Sequence, residues 1–144
     1  MADSLDEEDT RTVVREIYDA YAKRDFDRVA AHIDDNIQWV IYGPRQVFPF
    51  SGPRGGKRAV LEALAMIASE YFIERYVPKI IIVDGDRAAV LSEVVFRQRT
   101  SGRVLNFRIA NFLRLRAGRV VEFEEFVDTF DVAEQALGRW IELN

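Results

Sequence analysis

Cysteine is absent from this chain, and a single histidine, His32, stands alone. The first absence removes disulfides, zinc-thiolate sites, iron-sulfur clusters and thiol nucleophiles together. The second leaves no histidine-rich metal site to build. Neither a metal nor a cofactor is therefore expected. Proline and glycine are sparse, at 4 and 8 residues, and no low-complexity stretch, repeat or linker divides the sequence. One domain over residues 1–144 follows, with 1–8 expected to be flexible. No apolar run approaches the roughly 20 residues of a membrane-spanning helix. The stretch Met1 to Asp9 is acidic where a secretory signal would be basic and then apolar, which predicts a cytoplasmic protein. A surplus of positive charge is missing as well: the net charge of -4 argues against nucleic-acid binding.

What is present is ordinary for a globular chain, with 49% hydrophobic and 31% charged residues and enough length to bury one core. Val13, Val14, Ile17, Tyr18 and Tyr21 recur at helical spacing, predicting a helix from Thr10 to Arg24. Asp25 suits the N-cap of a short helix, Phe26 to Ile33. Ile37 to Tyr42 reads as a strand ended by Gly43-Pro44. Gly43 to Gly56 is the one long irregular segment, expected to act as a flexible lid. Its Gly52 to Arg58 run superficially suggests a phosphate loop, but the glycine five before Gly56 and the hydroxyl residue after Lys57 are lacking. A third helix opens at Gly56-Lys57, with Val60, Leu61, Leu64, Ile67 and Ala68 on its apolar face. From Tyr76 the period becomes two over four runs, broken at Asp84-Gly85-Asp86, Ser101-Gly102 and Ala117-Gly118. A helix from about Thr129 to Arg139 closes the chain. The pattern is α+β: a curved, mostly antiparallel sheet with helices packed on its concave face.

Strand parity selects the inward residues. In the run Arg108 to Arg116 the apolar set is Ile109, Asn111, Leu113 and Leu115; in the last run it is Val121, Phe123, Glu125 and Val127. These share a face if Arg116-Ala117-Gly118 is a three-residue loop, whereas a two-residue loop would exchange Glu125 for Glu124. A two-residue turn at Ser101-Gly102 adds Ser92, Val94, Phe96 and Gln98 to the face of Phe107, Ile109 and Asn111, with Ser92 opposite Asn111 and Glu125 diagonal to it. Parity with Val40 brings Tyr42, rather than Trp39, to the pocket. The outward set combines Arg97, Arg108 and Arg114 with Glu93, Glu122 and Glu124, as cross-strand ion pairs or a homodimer face.

The order of elements, with Asp34 to Trp39, Phe48-Pro49-Phe50-Ser51-Gly52, Gly55 to Val60 and Gly118 to Thr129, resembles the SnoaL-like, ketosteroid-isomerase-related branch of the nuclear transport factor 2-like superfamily over nearly the whole chain. The resemblance implies a cone-shaped, cystatin-like fold that encloses a small hydrophobic molecule. Ketosteroid isomerases use a helix tyrosine, a strand aspartate base and a protonated aspartate; the matching positions are Ile17 with Tyr18 beside it, Val40 and Asn111, so that base is missing. SnoaL-like relatives often carry histidine and tryptophan where Asn111 and Ile109 stand, and Ile109 falls where limonene epoxide hydrolases place an arginine.

The residues single out Glu125 as the catalytic candidate, because a carboxylate on an apolar wall loses solvation and moves toward proton transfer near neutral pH; a rim acid held by an arginine is the competing reading. Asn111 would donate to a developing oxyanion, or only satisfy Ser92 and Glu125. Tyr18, Tyr42, Ser92, Phe96, Gln98, Phe107, Ile109 and Phe123 are the expected substrate contacts. Asp128 is read as a helix cap, and His32 as structural in preference to a general base. Two functions stand side by side: a cofactor-free isomerase, cyclase, dehydratase or hydrolase, and a non-catalytic ligand- or partner-binding homodimer.

Overall fold

The computed structural model describes residues 6–144. In chain order they form α1 (Glu7–Ala22), α2 (Phe26–Ala31), β1 (Ile33–Ile41), β2 (Gly52–Gly55), α3 (Lys57–Glu70), β3 (Tyr71–Asp84), β4 (Arg87–Gln98), β5 (Val104–Arg116), β6 (Arg119–Phe126) and α4 (Thr129–Leu137). The six strands make one sheet in the order β2-β1-β6-β5-β4-β3, antiparallel except where β1 runs parallel to β6. Helices pack on the inner face, and the core is built from the inward sets of β1, β4 and β5 with Val14, Val60 and Ile67 from α1 and α3. This is the α+β architecture expected from the sequence.

α1, α2 and α4 each start where a side chain satisfies free amides, whereas α3 follows Gly56 without a side-chain cap. Asp6, Asp25 and Asp128 accept from the backbone nitrogens of Asp9, Arg28 and Asp131. Asp128 therefore caps α4, and α1 begins at Glu7, inside the stretch expected to be flexible; Met1 to Leu5 of that stretch lie outside the described residues. Inside α1, Thr10 is fully buried and its hydroxyl donates to the Gly85 carbonyl at 2.8 Å, tying the helix to the β3–β4 turn.

The two hairpins that flank β5 differ from their expected geometry. Gln98 bonds Arg103 through its backbone, so the β4–β5 connection is Arg99 to Gly102 and Ser92 faces Ile109, not Asn111. The shift is by an even number of residues, so every inward assignment on β4 and β5 survives. At β5–β6 the turn is the tight one, Ala117-Gly118, with both φ angles positive (52° and 76°). That turn alone would have put Glu124 inside. A bulge between the Arg114–Glu122 and Leu115–Val120 pairs inserts Val121 and restores the parity, so Glu125 sits directly opposite Asn111. Consecutive burial of Val120 and Val121 is its signature.

Gly43 to Gly56 is held against the sheet at its C-terminal end. Phe48 and Ser51 are buried in it, and Gly52 to Gly55 pair with β1 as β2. Among the ion pairs of the outer face, Arg114 meets Glu122 at 2.7 Å, whereas Arg97 pairs with Glu74 and Glu93 with Lys79.

Ala117 occupies a left-handed conformation that disfavours a β-carbon. Ala117→Gly is expected to raise the thermal midpoint by about 1–3 °C, the relief of strain exceeding the added chain entropy; calorimetry on the two proteins checks this.

Candidate functional site

Between the helices and the inner face of the sheet lies a cavity of about 110 Å³, walled mainly by aliphatic and aromatic side chains. Phe96, Phe107, Ile109 and Phe123 line it, as expected from strand parity. They leave it open: Phe96 and Phe107 meet edge to face at 5.4 Å, while Phe123 stacks on Trp39 at 4.0 Å.

Polar atoms enter this wall chiefly at one point. Asn111 is buried on β5, where pairing sets it beside Glu125 of β6. The Tyr18 hydroxyl, from the buried face of α1, donates to Asn111 Oδ1 at 2.7 Å. Asn111 Nδ2 in turn donates to Glu125 Oε1 at 3.1 Å. An ionised Glu125 carboxylate only accepts, so it takes the amide N–H and leaves the amide oxygen for the Tyr18 hydroxyl. The second carboxyl oxygen of Glu125 has no protein partner among the described residues.

Burial moves these groups in one direction. Glu125 is pushed up to about 7 because the apolar enclosure disfavours its charge, and the Asn111 donation only partly offsets this. Glu125 as a residue is half-buried and borders the cavity. The Tyr18 hydroxyl lies well above its usual range, first through burial and then through the negative charge of Glu125. Tyr21 is raised by the same two influences, and Tyr76 by burial and then by Tyr18 and Glu125; both line the cavity, and their rings meet edge to face at 5.2 Å. These phenols stay protonated near neutral pH, while Glu125 divides its time between acid and base.

Other expected contacts fall elsewhere. Ser92 and Gln98 are buried and inward-facing but do not border the cavity. The Ser92 hydroxyl lies near that of Tyr76 without a well-formed hydrogen bond, and Gln98 reaches Glu70 and Ser101. Tyr42 touches the cavity edge, yet its ring is 43% exposed and stacks on Phe126 of the outer face. Trp39 takes the inward position with Ile37 and Ile41. The polar Gln38, in phase with Val40 and Tyr42, was the sequence signal for this parity. Val40 pairs with Glu124 and shares its outward parity, so the inward neighbours of the missing isomerase base are Trp39 and Ile41, neither of them an acid. His32 borders the cavity with its nitrogens occupied: Nδ1 is 3.1 Å from the Gly118 carbonyl and Nε2 is 3.4 Å from the Glu16 carboxylate. Tyr21, Tyr76, Phe48 and Ser51 complete the wall from elements whose mutual approach leaves no trace in strand parity. Among the described residues no cluster of three His, Cys, Asp or Glu side chains could hold a metal, and no helix is long and apolar enough to cross a membrane.

Sequence and structure comparisons bear on the family and the fold. Residues 14–123 match the SnoaL-like domain, a span that includes Asn111 and stops just before Glu125. A Rhodopseudomonas palustris protein provisionally assigned as an isomerase is 39% identical, with 88% of this chain and 93% of that chain covered and a TM-score of 0.79. TerC, co-crystallised with polyporic acid, superposes with a TM-score of 0.80 at 18% identity, covering 90% of this chain and 98% of its own. An epoxide hydrolase of M. tuberculosis superposes at 0.74 with 17% identity over 92% of each chain. No match was found among curated proteins.

The raised carboxyl sets a pH dependence of stability. Unfolded, Glu125 ionises near 4.5; folded, near 7. The folded state holds the extra proton between these values, so the wild type loses stability as pH rises through that window. Glu125→Gln removes this loss, and its advantage over the wild type is expected to grow by about 2 kcal/mol from pH 5 to pH 8 in urea denaturation. By sequence match over most of its length, and by fold, this chain belongs to the SnoaL-like family.

Proposed function

We propose that this protein is a cofactor-independent enzyme that transfers a proton on a small hydrophobic molecule, in an isomerisation, cyclisation, dehydration or hydrolysis, as a cytoplasmic homodimer. The observation that carries the reading is the Tyr18–Asn111–Glu125 hydrogen-bond chain, which leaves one carboxyl oxygen unengaged beside a mainly apolar cavity. A carboxyl poised at about 7 is present as both acid and base at neutral pH, which suits it to take a proton and return it. Asn111 spends its oxygen on Tyr18 and one amide hydrogen on Glu125. It therefore aims the carboxyl, and its role is positioning. The organic ligand of TerC, on the same fold, supports a small-molecule occupant.

The test is exchange of carbon-bound protons. Small cyclic ketones incubated with the protein in D₂O are followed by proton NMR, and wild type is expected to accelerate exchange beside the carbonyl. Glu125→Gln should lower that rate by about 10²–10⁴-fold. Equal exchange in the two proteins, with the variant folded, removes Glu125 from the chemistry.

The homodimer rests on a separate feature. Tyr42, Phe112 and Phe126 are exposed together on the outer sheet face, Tyr42 stacked on Phe126 at 4.7 Å and Phe112 against Phe126 at 5.9 Å. An apolar patch of this kind beside paired Arg114 and Glu122 suits a self-complementary contact. Were the exchange assay silent for every ketone, this face would support the second reading, a non-catalytic module that binds through it. Phe112→Asp is expected to halve the mass seen by sedimentation; an unchanged mass refutes this interface.

A further inference from the structure

The cavity holds one acid and no base strong enough to answer it. Glu125 is the one carboxylic acid among the described residues that line it, and none of them is a lysine or an arginine. The groups packed around the carboxyl bring no compensating charge. Tyr18 and Tyr21 on α1, and Tyr71 and Tyr76 on β3, are phenols raised above their usual range, and Asn111 on β5 is a neutral amide. On β1 the register sets Ile41 beside Glu125, and α3 and α4 present only Leu64, Ile67 and Val132 to the cavity. His32, after α2, is turned to the Gly118 carbonyl and the Glu16 carboxylate.

An ionised carboxylate in such a wall is the costly form, and two partners can relieve it: a proton, or a cation from outside the chain. The second also fills the cavity. Asn111 Nδ2 donates to one carboxyl oxygen and the other has no protein partner. One free acceptor matches one donor. A primary ammonium would carry three N–H groups into a wall with a single charged acceptor, whereas a protonated tertiary amine carries one.

The rest of the lining and the size of the cavity narrow the occupant further. Trp39, Phe96, Phe107 and Phe123 are among its aromatic residues, and aromatic surroundings accept alkylammonium groups that an aliphatic wall would disfavour. A carboxylate or phosphate ligand meets the reverse situation, buried without a counter-charge and with Glu125 nearby. A volume of about 110 Å³ is of the order of a cavity known to take benzene, so a single ring fits.

We infer that the cavity is a binding site for a protonated tertiary amine of one ring, its N–H⁺ donating to the free oxygen of Glu125 and its carbons packed on the apolar wall. The inference goes beyond the proposed function, because it uses the carboxylate as a counter-ion and needs no turnover. Both rest on Glu125 and the same cavity, so an amine of this class would compete with the proton-transfer substrate.

N-Methylpiperidine, protonated in neutral water, and methylcyclohexane differ by N–H⁺ against C–H at one position, and ligand-observed NMR measures the binding of each. At pH 8 wild type is expected to prefer the amine by about tenfold. That affinity should fall by about 30-fold from pH 8 to pH 5.5, because the proton Glu125 takes up near 7 must leave before the ion pair forms. Hydrocarbon binding should stay level. Glu125→Gln should abolish the preference and its pH dependence while keeping the hydrocarbon affinity, which reports an intact cavity. His32→Gln should leave both in place. Equal binding of the two probes to wild type overturns the inference and leaves the exchange assay to decide the proton-transfer reading. An amine preference that survives Glu125→Gln overturns it too, since the cation would then lie away from the carboxyl. So does a failure of both probes to bind.

Discussion

Asn111 has a single amide at the centre of an apolar wall, and Tyr18 and Glu125 claim its two ends. The orientation follows from the carboxyl, because an ionised carboxylate only accepts and takes the amide N–H, leaving the amide oxygen for the phenol. Glu125 is thereby held with one oxygen engaged and one available. The raised pKa, the room left between helices and sheet, and the capacity to shuttle a proton all depend on that carboxyl staying inside.

It stays inside through backbone geometry at some distance from the site. A tight Ala117-Gly118 turn sets one parity for β6, and the bulge at Val121 resets it before Glu125 is reached. Each device alone would turn Glu124 inward and leave Glu125 among the outer ion pairs, where charges contribute little. The two irregularities act as a unit. The aromatic residues obey the same alternation: Trp39 and Phe123 stack within the cavity, while Tyr42 and Phe126 stack on the opposite face of the same two strands. One face of β1 and β6 thus borders the cavity, and the other is exposed.

The cavity is uneven in its polarity. At the β5–β6 end the polar atoms are mutually satisfied except for one carboxyl oxygen, and the rest of the wall is mainly aliphatic and aromatic.

Periodicity and turn residues carried much of this protein. Alternation on β4 and β5 identified Phe96, Phe107, Ile109 and Asn111, helical spacing put Tyr18 on a buried face, and Asp25 and Asp128 were readable as caps, because each of these depends on neighbours within a few residues. What alternation cannot register is an inserted residue: the inward aim of Glu125 followed from a three-residue loop in the sequence reading and from a two-residue turn plus a bulge in the fold. Ser92 and Gln98 had the right parity, yet the cavity does not extend to them, since its limits are set by where helices and the 43–51 connection lie on the sheet. Tyr21, Tyr76 and Ser51 reached the wall for the same reason. Local chain chemistry determined which residues face inward; only the packing of distant segments decided which inward residues meet empty space, because a cavity is defined by atoms that approach without touching.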